Sequence, residues 1–187
     1  YALSAHHEVR VRAVTGGQVV LQDRSDLLAE VAPPTGERAL WLDETHDRTV
    51  DAFVTRALRT PPDQLVASER AAVAGEALTD GELVELVVLV SAVSVRDAEW
   101  ARIHRGNALA MHAVWSAASR VASPDFAPAV LSLAGFAAWQ AGDGARAVVA
   151  LGRALEIDPE YTMAALLMQL LQAGLHPDRW RWPLGLA

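Results

Sequence analysis

Residues 134–159, AGFAAWQAGDGARAVVALGRALEIDP, set the tightest limit on what this chain can fold into. Two apolar runs flank Gly142-Asp143, and small residues stand at Gly135, Ala147 and Ala154. In a helical hairpin, small side chains at such positions let two helix axes approach closely. Asp158-Pro159 then ends one helix and opens another. The stretch predicts two antiparallel helices, one ending near Ala141 and one over residues 144–157.

Helical patterning covers nearly all of the rest. Residues 2–13 read as a helix stopped by Gly16-Gly17, and 19–21 is a short strand-like run. Asp23 or Ser25 is expected to cap a short helix through Val31, which Pro33-Pro34 ends. Leu40, Leu42, Val50, Phe53, Val54 and Leu58 put an apolar stripe on a long helix over residues 36–58. Pro61-Pro62 is the expected subdomain boundary, and a helix over 64–77 follows. Thr79 and Glu82 have capping-box spacing. The helix they start, GELVELVVLVSAV, is apolar on most sides and is expected to be the most buried. Further helices are predicted within 94–106, over 108–122 with Asn107 as cap, from Pro124 and Pro128 to 141, over 144–157 and over 160–173. The expected organisation is a helical segment 1–60, a helical domain 63–177 and a tail 178–187.

Much chemistry is excluded by what is missing. There is no cysteine, which removes disulfides, thiolate nucleophiles and cysteine-ligated zinc. All 16 basic residues are arginine, so there is no Schiff-base or phosphate-loop lysine. A net charge of −7 argues against a nucleic-acid partner. The longest apolar run, 83–95, is interrupted by Glu85, Ser91 and Ser94 and is too short to span a bilayer. Glu8, Arg10 and Arg12 break any signal-peptide core. The expectation is a cytoplasmic protein that engages neither membrane nor cofactor. A chain starting at Tyr1 also reads as a piece of a longer one.

Two family resemblances follow from these residues. Gly135, Ala147, Ala154 and Pro159, at intervals of 12, 7 and 5, resemble the small-residue positions and closing proline of a tetratricopeptide repeat. A shift of 36 residues back places Gly106-Asn107 on Gly142-Asp143 and Ala118 on Ala154, but Glu99 where Gly135 would be. The pattern is one clear unit, one degenerate unit and a capping helix. The runs SVRDAEWARIHRG, LAGFAAWQAGDGARAVVALGRALEIDP and ALLMQLLQAGLHP, with the earlier GGQVVLQDRSDLLAEVAP, are similar to the actinobacterial family called domain of unknown function 4192. That resemblance implies the C-terminal part of a bacterial cytoplasmic protein whose N-terminal α/β half lies upstream. It implies no chemistry.

Candidate sites are few. Arg96-Asp97 with Trp100 forms either a polar binding site or a structural ion pair, with Asp97 capping a helix and Arg96 paired across a junction. Ser132, Phe136, Trp139 and Gln140 fall on the face that is concave in a tetratricopeptide array. They form a candidate partner groove, or they pack on upstream helices. Ser132 and Phe136 stand where carboxylate-gripping relatives carry Lys and Asn. Asp43 and His46, one turn apart with Asp47 beside them, supply too few ligands for a metal site and are expected on a solvated helix face. His6-His7 point apart on a helix. Arg179–Trp182 interleaves arginine and tryptophan in a tail expected to fold back on its own domain, on the upstream half or on a second chain. The sequence thus predicts an all-α compact multi-helix domain whose C-terminal half is a degenerate tetratricopeptide-like hairpin array. The expected role is a non-catalytic protein–protein or interdomain interaction module. The alternative is part of an enzyme or small-molecule binder whose site is shared with an N-terminal domain.

Overall fold

A computed structural model of the chain describes residues 24–57 and 78–180. Among these residues there are eight α-helices and no strand. They are α1 (Arg24–Glu30), α2 (Glu37–Ala57), α3 (Asp80–Leu89), α4 (Val93–Arg102), α5 (Ala108–Ser119), α6 (Ala127–Gln140), α7 (Gly144–Ile157) and α8 (Thr162–Gln172). A 3₁₀ turn, Pro177–Arg179, follows. The helices expected over 2–13 and 64–77, the run 19–21 and the Pro61-Pro62 boundary lie outside the described residues.

The fold is organised around α6. All fourteen of its residues are buried, as suits a helix apolar on every side. Pro128 sits in its first turn, where a missing N–H costs nothing. α6 packs most extensively on α5 and α7, and α8 completes the layer beyond α7. The expectation that α3 is the most deeply buried helix is therefore corrected. Leu83, Val84 and Leu86–Leu89 are buried, but Gly81, Glu82 and Glu85 keep one side of α3 in contact with water. α6 has no charged residue to hold any side outward.

The Gly142-Asp143 turn joins α6 to α7 with two residues that each serve a helix end. Gly142 has φ +87°, a conformation that costs glycine little. Its N–H donates to the Trp139 carbonyl at 2.9 Å, and the Asp143 N–H donates to the Ala138 carbonyl at 2.9 Å. This is a Schellman motif, and it satisfies the last carbonyls of α6. The Asp143 carboxylate then accepts from the Arg146 N–H at 3.0 Å and caps α7. The same motif recurs at Gly174, where the Leu175 N–H reaches the Leu170 carbonyl at 3.1 Å and turns the chain back over α6.

Thr79 forms the expected capping box. Its hydroxyl accepts from the Glu82 N–H at 3.3 Å, while the Glu82 carboxylate accepts from the Thr79 N–H at 2.8 Å. Asn107 departs from expectation. It occupies the cap position of α5, but its side chain turns toward α4. Asn107 Oδ1 accepts from the His104 N–H at 2.9 Å, and Nδ2 donates to the Arg102 carbonyl at 3.0 Å. The side chain therefore ties the end of α4 to the start of α5.

α2 lies against α3, with Arg38 paired to Asp80 at 2.9 Å across their first turns. α1 packs on α7.

Candidate functional site

The four residues expected to line a partner groove do not form an open surface. Ser132 and Phe136 are fully buried, and Trp139 and Gln140 are 5% and 6% exposed. The Ser132 hydroxyl donates to the Pro128 carbonyl at 2.7 Å within its own helix. Phe136 meets Trp100 of α4 edge-on, with ring centroids 5.7 Å apart. Trp180 covers the same face from the C-terminal side, 5.5 Å from Phe136 and 6.0 Å from Trp139. Trp100 and Trp180 stack on each other at 5.8 Å. The Trp139 indole N–H donates to the Leu175 carbonyl at 3.2 Å. The expected groove is thus corrected to a filled aromatic junction. A helix face this apolar is driven to find cover, and the chain's own α4 and returning tail supply it.

Arg96 and Asp97 lie in the second turn of α4, which begins at Val93, so Asp97 does not cap the helix. Arg96 binds its neighbour through Nε and Nη2, at 3.0 and 2.7 Å from Asp97 Oδ1. Its Nη1 donates to the Tyr161 hydroxyl at 3.0 Å, and the guanidinium lies 5.8 Å from the centre of that ring. Burial pulls the guanidinium pKa down, but the hydrogen bonds it donates to Asp97 and Tyr161 outweigh that and hold it above its ordinary value. The pair links α4 to the start of α8. Trp100 turns away from it into the aromatic junction.

A charged cluster that the sequence reading did not single out joins α1 to α7. Glu30 accepts from Arg146 through both oxygens, at 3.0 Å from Nε and 3.2 Å from Nη2. Arg146 Nη1 donates to Asp143 at 2.6 Å. Glu30 hydrogen bonding, opposed by burial, raises the Arg146 pKa above its ordinary value. His112 Nε2 stands 3.6 Å from Glu30, and Ser116 Oγ lies 3.4 and 3.5 Å from the two ring nitrogens. Serine, histidine and glutamate together suggest an activated nucleophile, but the geometry denies it. The His112 Nδ1 that an orienting carboxylate should hold faces the Ala134 carbonyl at 3.0 Å. Ser116 Oγ is nearly equidistant from both nitrogens, aligned with neither. Glu30 is separated from Arg146 by 116 residues, and no spacing rule could have found the pair.

His46 is 2% exposed and not on a solvated face. It stacks on Phe126 at 5.5 Å, while Asp43 and Asp47 stay exposed beside it. Among the described residues no group of three or more side chains is placed to hold a metal ion. His6 and His7 lie outside the described residues, as do Arg181 and Trp182.

These features define a compact all-α domain whose polar clusters tie helices together, with no helix among the described residues long and apolar enough to cross a membrane. A family model described as "Domain of unknown function (DUF4192)" matches residues 1–178. The chain belongs to that family. No curated protein and no solved structure matches it.

Proposed function

We propose that this domain is a non-catalytic protein–protein or interdomain interaction module. The supporting observation is the outer surface of α2. Leu40 and Trp41 are 72% and 44% exposed. Trp41 borders a cavity of about 390 Å³ between α2 and α3, lined also by Thr45, Arg48, Ala52 and Gly81. A large exposed aromatic beside a cavity is the anchor that protein interfaces favour. In this reading the partner is another protein or an N-terminal domain of a longer parent chain. The C-terminal half is a degenerate tetratricopeptide-like array, a reading supported by the close approach of α6 and α7 at Gly135 and by the two-residue turn. The arginine-only basic composition and alanine richness support an actinobacterial origin, and a chain without cysteine fits a reducing cytoplasm.

A photoreactive phenylalanine analogue at position 41, with affinity purification, tests this role. A discrete cross-linked partner, lost with Leu40→Ser and Trp41→Ser variants that melt like the wild type, is the expected result. Equal recovery by the folded variants would sink the proposal.

The second reading is a small-molecule binder or part of an enzyme. Arg96 and Asp97 lend it little, because each is the other's partner. What favours it is an acidic cleft on the opposite side of α2.

A further inference from the structure

α2 and the loop before α6 enclose a cleft of about 770 Å³, within the size range of small-ligand sites. Asp43, Asp47 and Asp51 line it from α2, and Asp125 faces them from the loop. The lining contains no arginine. Among the described residues Asp43, Asp47 and Asp125 form no ion pair. Asp43 and Asp47 are like charges one helical turn apart, an arrangement that opposes helix formation.

His46 lies among these carboxylates and supplies an independent observation. Its Nδ1 is 2.7 Å from the Leu42 carbonyl, an acceptor that only a ring N–H can satisfy. In the tautomer with its proton on Nδ1, the ring presents Nε2 on its far edge as an acceptor. That nitrogen is buried and has no hydrogen-bond partner. The Phe126 ring, nearly parallel to the imidazole, holds it in place. A buried acceptor left unpaired costs free energy, and every polar partner that would relieve it must be a donor.

The cleft therefore asks for a ligand rich in N–H donors and positive charge. A single metal ion does not fit, since the side chains do not converge on one point. The carboxylates of α2 are instead spaced along the helix, about 6 Å of rise per four residues. A linear oligoamine, with ammonium groups separated by short methylene spacers, matches that spacing. We propose that this cleft binds such an oligoamine, its ammonium groups paired with Asp43, Asp47 and Asp125 and one N–H accepted by His46 Nε2. The inference rests on the small-molecule reading and is independent of the Trp41 surface.

Titration calorimetry of the full chain with spermidine, at physiological ionic strength, tests it. One saturable site is expected. Asp47→Asn and Asp125→Asn should each weaken it about tenfold, since each removes a charge-assisted pair. These substitutions relieve like-charge repulsion, so folding is retained. His46→Phe, which keeps the ring stack and removes the acceptor, should weaken binding about fivefold and leave the Trp41-dependent cross-link unchanged. Non-saturable binding, or equal affinity in the Asp variants, overturns the proposal. So does a short arginine-rich peptide that binds tighter than spermidine with the same sensitivity, because the occupant is then a protein segment. Competition by magnesium at equal charge concentration also overturns it, because the attraction is then diffuse.

Discussion

A Cβ atom built on Gly135 of α6 would stand 2.7 Å from Leu151 Cγ of α7, closer than carbon atoms can pack. The Ala147 carbonyl lies 3.3 Å from the same point. Gly135 is thus the position at which the two helices touch. Gly135→Ala should destabilise the domain by about 1–3 kcal/mol, the usual cost of overpacking. In a Leu151→Ala background the same change should cost far less, and a denaturation cycle over the four proteins measures the difference. An equal cost in both backgrounds would place the clash elsewhere.

Glu30 and Arg146 are each about one-quarter exposed and bind through two parallel hydrogen bonds. A double-mutant cycle with Glu30→Gln and Arg146→Met should give a coupling of about 0.5–3 kcal/mol. Either single change should accelerate hydrogen exchange in α1 while leaving α6 protected. Uniform loss of protection would show that the pair holds more than α1.

Trp180→Ala should uncover Phe136 and Trp139. Lost aromatic contacts of this kind cost about 0.5–1.5 kcal/mol each beyond the buried area. The emission of Trp139 should move to the red as water reaches it, and a variant in which Trp139 alone is retained reads this directly. Unchanged emission would mean that the tail does not cover α6 in solution.

Glu82 sits below its ordinary value near 4.5, chiefly because its carboxylate accepts the Thr79 backbone N–H and then the hydroxyl. A depressed carboxylate contributes stability above its unfolded pKa and loses it as pH falls through the folded one. Glu82→Gln should therefore melt below the wild type at neutral pH. The gap should close as pH drops beneath about 4.5. A gap that stays constant down to acidic pH would exclude the charged cap.

Local signals were legible because their causes are local. The capping box at Thr79 and Glu82, the hairpin turn at Gly142-Asp143 and the bounds of α7 all depend on residues within one or two helical turns. Asn107 shows the limit, since its side chain had two backbone neighbours to choose between and took the earlier one.

The amino-acid order alone determined that the described residues are helical, where α7 begins and ends, and that small residues must mark one helix contact. Periodicity and capping act within a turn or two, so they can be read along the chain. The tertiary structure alone decided what covers each apolar face and what pairs each buried charge. Phe136 and Trp139 read equally well as a groove or as core until Trp100 and Trp180 were seen to fill the face between them. Glu30 met Arg146, and His46 met Phe126, across separations that no local rule spans. Burial is a property of the packed whole, and the order of residues states only which faces require it.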